Sequence, residues 1–192
     1  MATLTRSVTD ALTLVDQELS SVVARLSSES EQQLEELAEI LASAQRVFVV
    51  GAGRSGLALR MTAMRLMHLG LTVHVVGDVT APAIRAGDVL LTASGSGTTG
   101  GIVRAAQSAV NAGARVAAIT TAATSPLAAL ATTLVVVPAA GKLDRSATAS
   151  AQYSGGLFEQ LVVIIGDSVF HALWQRADAS ADELWTRHAN LE

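Results

Sequence analysis

The stretch RVFVVGAGRSG, residues 46–56, joins a short apolar run to three glycines spaced as GxGxxG at positions 51, 53 and 56. The apolar run lacks strict alternation of polar and apolar residues, which favours a strand buried on both faces. Glycines directly after such a strand let backbone N–H groups at a helix N-terminus approach an anion. The stretch therefore predicts a strand–loop–helix unit of an α/β protein with a candidate anion-binding loop, the glycine loop (residues 51–56).

Four similar apolar runs follow along the chain. They are LTVHVVG from Leu71, DVLLTAS from Asp88, RVAAIT from Arg115 and TLVVVP from Thr133. Helices are predicted between several of them, near residues 54–69, 99–112 and 125–130. Alternating strands and helices imply right-handed crossovers and a parallel sheet. We therefore expect a flavodoxin-like, doubly wound sheet of five parallel strands in the order 2-1-3-4-5, flanked by helices.

Helices are also predicted on both sides of this region. Apolar stripes at helical spacing mark residues 5–27 and the segment after Ser30, where Ser30 and Gln33 match a capping box. A loop from Ala139 leads into a long apolar helix near 155–176, and a short helix is expected near 180–187. No interdomain linker is visible. Residues 1–192 are expected to form one domain, with the helices of residues 1–45 packing on it or on a neighbouring subunit.

Composition narrows the classes of function. The 192 residues include no cysteine and a single lysine, Lys142, and the net charge is −4. The absence of a basic patch argues against a nucleic-acid partner, and the absence of cysteine excludes disulfides and thiol catalysis. Half the residues are hydrophobic, with a mean hydropathy of +0.42, which favours a sheet buried on both faces and further burial between subunits of a homo-oligomer.

No membrane partner is expected either. The N-terminal residues lack the pattern of a secretory signal. The most apolar run, from Leu161, is interrupted by Asp167 and is shorter than a membrane span requires. These features predict a cytoplasmic protein.

The glycine loop alone would also fit a dinucleotide site. Asp78 follows the second strand at about the place of a ribose-binding acid. However, the chain has no second domain to carry a dehydrogenase substrate, and a second anion-type loop follows the third strand. A turn or cap role for Asp78 is the simpler interpretation.

The second loop, called the serine loop below, is SGSGTT at residues 94–99, directly after the third strand. Hydroxyls and amides at a helix N-terminus suit a terminal phosphate, and no P-loop lysine is present, so an NTPase is not expected. Strands one and three are neighbours in the predicted order, so both loops would face one small ligand. The candidate binding residues in this loop are Ser94, Gly95, Ser96, Gly97, Thr98 and Thr99.

These motifs resemble the SIS (sugar isomerase) domain family over essentially the whole chain. The matching segments are GAGRSGLALRMTAMRLMHLG from Gly51, the serine loop, TSPLAALA from Thr124, GGLFEQ from Gly155 and RHANLE from Arg187. Within that family the chain resembles the 6-phospho-3-hexuloisomerase branch. The resemblance implies reversible isomerisation of 3-hexulose 6-phosphate to fructose 6-phosphate through a cis-enediol, in formaldehyde assimilation by the ribulose monophosphate pathway. It also implies a homotetramer that needs no metal, nucleotide or other cofactor.

Carried over by position, the resemblance implies substrate binding by Ser55 and the serine loop, and proton transfer by Glu159. Glu159 is predicted in the first turn of the long helix, where the helix N-terminus favours an ionised carboxylate; simple stabilisation of the helix is the alternative. Gly53 and Arg54 are further candidates, although Arg54 also suits a helix surface. Gln152 is suited to binding a sugar hydroxyl.

Two positions depart from the family pattern. Members commonly carry Glu-Thr after SGSG, where this chain has Thr98 and Thr99, and they commonly carry proline where this chain has Tyr153. The missing acid bears on the choice of sugar. Another SIS isomerase, acting on a heptulose or arabinose phosphate, therefore stays open.

A non-catalytic sugar-phosphate-binding protein is the other open class. Regulators of that type usually carry a helix-turn-helix domain. The acidic segment of residues 1–45 offers no basic recognition helix.

His68 and His188 are candidates for opening the furanose ring or polarising the carbonyl. His68 is predicted late in the helix after the glycine loop, where a cation stabilising the helix C-terminus is the alternative. His188 is far from both loops in sequence, so we expect it to reach a neighbouring subunit's cavity if it acts. His74 and His171 are expected to be structural, and no cluster of histidines or carboxylates predicts a metal site.

Overall fold

A parallel five-stranded sheet forms the centre of the computed structural model, which describes residues 7–141, 144 and 150–191. Its strands are β1 (Val47–Gly51), β2 (Val73–Val75), β3 (Val89–Ala93), β4 (Arg115–Thr120) and β5 (Thr133–Val136). Their order, β2-β1-β3-β4-β5, confirms the predicted doubly wound sheet. The connections reverse direction between β1 and β3, so a crevice opens beyond the carboxyl ends of these two strands.

Six α-helices accompany the sheet within the described part of the chain. They are α1 (Val8–Glu29), α2 (Glu31–Ala42), α3 (Gly53–His68), α4 (Gly100–Asn111), α5 (Gly156–Ala177) and α6 (Ala181–Trp185). Their bounds lie close to the predicted ones, except that residues 5 and 6 of the predicted first helix lie outside the described residues. α1, α2, α3 and α5 share one apolar layer, and α4 forms part of the layer on the other face.

The helix predicted near 125–130 is a single 3₁₀ turn, Ala128–Leu130. Ser125 Oγ accepts the N–H of Ala128 and starts this turn. Thr132 then donates its N–H to the Val116 carbonyl, so from Thr132 onward the chain is hydrogen-bonded to β4. The six residues between these two constraints therefore complete only one short turn.

The predicted capping box at Ser30 and Gln33 is wrong. The Ser30 side chain makes no capping hydrogen bond, and its backbone lies at φ −129° and ψ 19°. Its N–H donates to the Leu26 carbonyl and its carbonyl accepts from the Leu34 N–H. α1 ends and α2 begins within one residue, so the backbone of Ser30 serves both helices and its side chain is not in a capping geometry.

α5 is 22 residues long, close to the predicted range, and it passes the length and composition criterion for a membrane span, although the apolar run from Leu161 was judged too short for one. A core helix passes the same test, and half of its most apolar window is buried inside the structure. Gly166 lies so close to α3 that a Cβ there would overlap the Thr62 hydroxyl. Core packing against α3 therefore accounts for the apolar composition of α5.

Candidate active site

A cavity of about 570 Å³ opens at the carboxyl ends of β1 and β3. Its walls come from three segments and Ala140. The segments are residues 52–55, residues 93–96 with Thr99, and residues 153–155 with Phe158 and Glu159. The volume is in the range of small-molecule sites, and the position is the switch point where doubly wound sheets bind ligands.

Three helices begin at this cavity, and none of them is closed by a side-chain cap. Their N-cap residues are Ala52 for α3, Thr99 for α4 and Gly155 for α5. By contrast, the Ser7 and Ser180 side chains cap α1 and α6, while α2, which also has no side-chain cap, begins directly where α1 ends. Uncapped first-turn N–H groups carry partial positive charge and need a partner from water or a ligand. The cavity is therefore suited to an anion although the chain as a whole is acidic.

Two of the three glycines in the glycine loop are needed for packing and not for contact with a ligand. A Cβ on Gly51 would lie 2.8 Å from the Gly56 Cα, and a Cβ on Gly56 would overlap the Gly51 carbonyl oxygen. These two glycines are therefore required for close packing of β1 on α3. Gly53, at φ +57°, lies on the cavity wall and has open space beyond its Cα. The part of the loop that faces a ligand is residues 52–55.

The serine loop is a tight turn held by its own hydroxyls. The Ser94 and Thr99 hydroxyls lie 3.1 Å apart, and the Gly97 N–H donates to the Ser94 carbonyl at 3.0 Å. Gly97 has φ +61°, and a Cβ there would overlap the Ser125 side chain, so only glycine fits. Ser94 and Thr99 line the cavity, whereas Gly97 is buried behind it.

Thr98 lies outside the cavity lining. Its N–H and hydroxyl both donate to Ser96 Oγ, at 3.3 and 2.9 Å, and its side chain is exposed. Ser96 and Gly95 do line the cavity. Thr98 therefore orients the Ser96 hydroxyl, and the position that departs from the family pattern lies outside the cavity lining.

Glu159 lies on the cavity wall in the first turn of α5, as predicted. A carboxylate oxygen is 3.1 Å from Arg54 Nε, and the Glu159 side chain is 20% exposed against 65% for Arg54. The ion pair joins the first turns of α5 and α3. A carboxylate in this place adjoins both the serine loop and the uncapped helices, so it can reach the carbon chain of a ligand whose anionic group they bind.

His68 and His188 lie together away from this cavity. Their rings stack at 4.0 Å between centroids, and Trp185 lies 4.5 Å from His188. α3 starts at the cavity and ends at His68, and its 16 residues span about 24 Å. Neither histidine lines the cavity of its own chain.

His68 is 3% exposed, and its environment favours the neutral imidazole. Burial lowers the pKa of His68, and the nearby His188 and Arg65 lower it further. A neutral ring disfavours the alternative role of a cation at the helix C-terminus, since that role requires a protonated imidazole.

The remaining histidines and Asp78 have local roles. His74 packs against Phe48 and His171 against Trp174, at 5.0 and 5.9 Å between ring centroids, as expected for structural residues. Asp78 lies in a turn and pairs with Arg60 at 3.2 Å, in line with the simpler interpretation. Within residues 7–141, 144 and 150–191, no three His, Asp or Glu side chains cluster as metal ligands do.

Comparison with known proteins adds the family. A family model described as the SIS domain matches residues 40–163. The chain belongs to the SIS domain family. A 3-hexulose-6-phosphate isomerase of Mycobacterium gastri is 55% identical to it over 185 residues, which is 96% of this chain and 92% of that protein. The family resemblance inferred from the matching sequence segments is thereby confirmed.

Other members of the SIS family extend this result. A 3-hexulose-6-phosphate isomerase of Bacillus subtilis is 34% identical over 85% of this chain and 89% of its own. The crystal structure of a hypothetical protein of Methanococcus jannaschii superposes with a TM-score of 0.82 at 27% identity, over 95% of this chain and 99% of that one. Its description infers a molecular function of 3-hexulose-6-phosphate isomerase.

Sequence reasoning missed Glu18, which lies on α1, N-terminal to the residues matched by the SIS model. Gln152, predicted to bind a sugar hydroxyl, is absent from the cavity lining and donates its Nε2 to Glu18 at 3.1 Å. A signal was present in the sequence, because Glu18 falls among the apolar residues Val15, Leu19 and Val22 on the packed stripe of the helix. An acid in such a stripe requires a polar partner.

Proposed function

We propose that this chain interconverts 3-hexulose 6-phosphate and fructose 6-phosphate. The observation that carries the proposal is the position of Glu159 beside a cavity where three uncapped helices and the serine loop meet. Relatives 55% and 34% identical over most of the chain carry this activity in their names. The proposed setting is formaldehyde assimilation by the ribulose monophosphate pathway, in the cytoplasm and without a cofactor.

The phosphate is the anchor of the proposed complex. It accepts hydrogen bonds from the hydroxyls of Ser94, Ser96 and Thr99, which line the cavity, and from first-turn amides. Ser55 and Arg54 add donors at the start of α3. Arg54 is 65% exposed, so its guanidinium can rearrange toward a dianion entering the cavity.

Glu159 is the proposed proton carrier. It removes the proton from C2 of the 3-ketose, next to the C3 carbonyl, while O3 takes up a proton, which gives the 2,3-enediol. Loss of the O2 proton forms the C2 carbonyl, and Glu159 returns a proton to C3. Because C2 and C3 are adjacent, one carboxylate serves both carbons on one face of the cis-enediol.

The direct experiment is to incubate the purified protein with 3-hexulose 6-phosphate and measure the fructose 6-phosphate formed. A panel with arabinose 5-phosphate and a heptulose phosphate, assayed for their own isomers, identifies the sugar. Turnover of 3-hexulose 6-phosphate with the highest kcat/KM is expected. Preference for another sugar, or binding without turnover of any, would contradict the proposal.

Removing two serine-loop hydroxyls should weaken substrate binding. The Ser94→Ala, Ser96→Ala double variant loses two donors to the phosphate, and we expect KM to rise about a hundredfold or more, because each hydrogen bond to a charged group contributes about 1.5 to 3 kcal/mol. Steady-state kinetics measure this change. Ser108→Ala, on the exposed face of α4, is the matched control. An unchanged KM in the double variant would show that the serine loop does not bind the phosphate.

We further propose a homotetramer, supported by an apolar stripe on α3. Leu57, Met61 and Met64 occupy one helix face at spacings of four and three residues and are 64, 49 and 52% exposed. Exposed apolar stripes of this kind mark interfaces between subunits. A monomer in sedimentation equilibrium would contradict this assembly.

In that assembly, His188 of one subunit is proposed to act in a neighbouring subunit's cavity and open the sugar ring, while the buried His68 stacks on its ring and supports it. The test mixes Glu159→Gln subunits with His188→Ala subunits by co-expression. In a two-fold arrangement, about a quarter of wild-type activity should return, the statistical yield of intact composite sites. Activity no higher than that of the better single variant would refute sharing between subunits.

A further inference from the structure

Glu18 binds the chain just before the cavity wall with three hydrogen bonds. Its Oε2 accepts from the Ser150 hydroxyl at 2.7 Å and from Gln152 Nε2 at 3.1 Å, and its Oε1 accepts from the Ala151 N–H at 2.7 Å. The Gln152 N–H also donates to Ser150 Oγ at 3.0 Å. This set, called the Glu18 latch, joins the middle of α1 to a segment more than 130 residues further along the chain.

The Glu18 carboxylate is held in its charged form. Burial on its own raises the pKa of Glu18, but the hydrogen bonds from Ser150, the Ala151 amide and Gln152 outweigh burial, and the pKa is lowered. The carboxylate is therefore ionised at neutral pH. Hydrogen bonds to an ionised acceptor are roughly twice as strong as neutral ones, so the latch is a firm attachment for a segment without regular secondary structure.

The segment after the latch forms one wall of the cavity. Tyr153, Ser154 and Gly155 line it, and Ser154 and Gly155 have φ of 43° and 84°. A serine at positive φ is strained and keeps that conformation only where the surrounding structure imposes it. The Gly156 N–H donates to the Tyr153 carbonyl, so this turn leads directly into the first turn of α5, which carries Glu159.

We propose that Glu18 is a positioning residue for the active site: by fixing Ser150, Ala151 and Gln152 it sets the wall at residues 153–155 and the approach of Glu159 to the substrate. α1 precedes the SIS match at residues 40–163, so this role belongs to the N-terminal extension. It also assigns Gln152 to the latch. The inference rests on the proposed isomerase activity, because its effect is read as turnover.

The test compares Glu18→Gln with Asp16→Asn, which removes the same charge from an exposed position on the same helix. Glutamine cannot accept all three hydrogen bonds, because one of its terminal groups is a donor. We expect kcat/KM for 3-hexulose 6-phosphate to fall about ten- to hundredfold in Glu18→Gln, the usual cost of a slight misplacement of catalytic groups, with the Tm within a few degrees of wild type. Asp16→Asn should match wild type.

A reciprocal exchange separates positioning from general destabilisation. In Glu18→Gln with Gln152→Glu, the carboxylate and the amide change places and their hydrogen bond can form again. The double variant should recover at least part of the loss seen in the singles, a coupling that independent structural effects do not produce. Glu18→Gln kinetics equal to wild type, or a double variant as impaired as the sum of its singles, would overturn the inference.

Hydrogen exchange gives a readout that does not depend on the substrate. Amides of residues 150–155 should exchange faster in Glu18→Gln than in Asp16→Asn, and the core strands should exchange equally in both. If the wild-type protein does not isomerise 3-hexulose 6-phosphate, the proposed function fails. The exchange measurement still tests whether Glu18 holds residues 150–155 in place. Unchanged exchange at residues 150–155 would overturn the latch alone.

Discussion

We expect the Glu159→Gln variant to lose at least about a hundredfold in kcat, the usual scale for removing a general base. Glutamine keeps the shape of the side chain and can still accept a hydrogen bond from Arg54, so the fold and the binding of fructose 6-phosphate should be retained. The amide cannot carry a proton between C2 and C3. Steady-state kinetics with 3-hexulose 6-phosphate, together with a binding measurement, check this expectation.

Asp167→Asn is the matched control for this variant. Asp167 lies on the same helix, is exposed, and is not part of the cavity lining. Its carboxylate pairs with Arg65 Nε at 3.6 Å. Its replacement also removes one carboxylate from α5, so it should leave kcat unchanged. Near-normal turnover in Glu159→Gln would exclude Glu159 as the proton carrier.

The second large effect is expected on stability, from Asp88→Asn. Asp88 is fully buried at the start of β3, at the opposite end of the sheet from the cavity. It accepts from Arg46 Nε at 3.0 Å and Nη2 at 2.6 Å, and from the Arg85 N–H at 2.8 Å. Removing one charge from a buried pair leaves hydrogen-bond donors unsatisfied, and we expect the free energy of unfolding to fall by about 3 kcal/mol. Urea denaturation measures this loss.

The control for Asp88→Asn is Asp78→Asn. Asp78 and Arg60 form a pair of the same chemistry, 3.2 Å apart, but both side chains are about half exposed. Such a surface pair contributes less than about 1 kcal/mol. Equal effects of the two substitutions would show that burial of the Asp88 pair does not matter for stability.

Asp88 is also expected to make the stability of the protein fall at acidic pH. Burial on its own raises the pKa of Asp88, but the hydrogen bonds from Arg46 and the Arg85 amide outweigh burial and lower it below the ordinary value. A lowered pKa in the folded state stabilises the protein above the unfolded-state pKa, and this stabilisation is lost as the pH falls through the folded-state pKa. The stability difference between wild type and Asp88→Asn should therefore narrow below about pH 4.

The sheet and its two loops were predictable because their signals are local. Apolar runs such as that from Asp88 are short and lack alternation, and the serine loop follows one of them directly. The alternation of strands and helices predicts a parallel sheet, and the flavodoxin-like strand order expected for it places the two loops together. The position of Glu159 was predictable because it is the one acid in the first turn of an apolar helix; its role as proton carrier stays a prediction.

The features that sequence reasoning missed depend on contacts between distant segments or on competition between local ones. The hydrogen-bond partners of Glu18 are residues 150–152, and no local sequence pattern predicts them. His68 stacks on His188, 120 positions away, which the spacing of neither residue indicates. Ser30 carries the residue pattern of a cap, but its backbone is already used to end α1. In each case tertiary contacts or an adjacent element determine which local preference is realised.

A crystal structure with fructose 6-phosphate tests the central claim most directly. The phosphate should lie against the hydroxyls of Ser94, Ser96 and Thr99 at the start of α4. Carbons 2 and 3 of the sugar should then lie within about 3.5 Å of the Glu159 carboxylate, the distance of a reactive pair. An empty cavity at saturating sugar, or a sugar bound with its C2 and C3 out of reach of Glu159, would contradict the account.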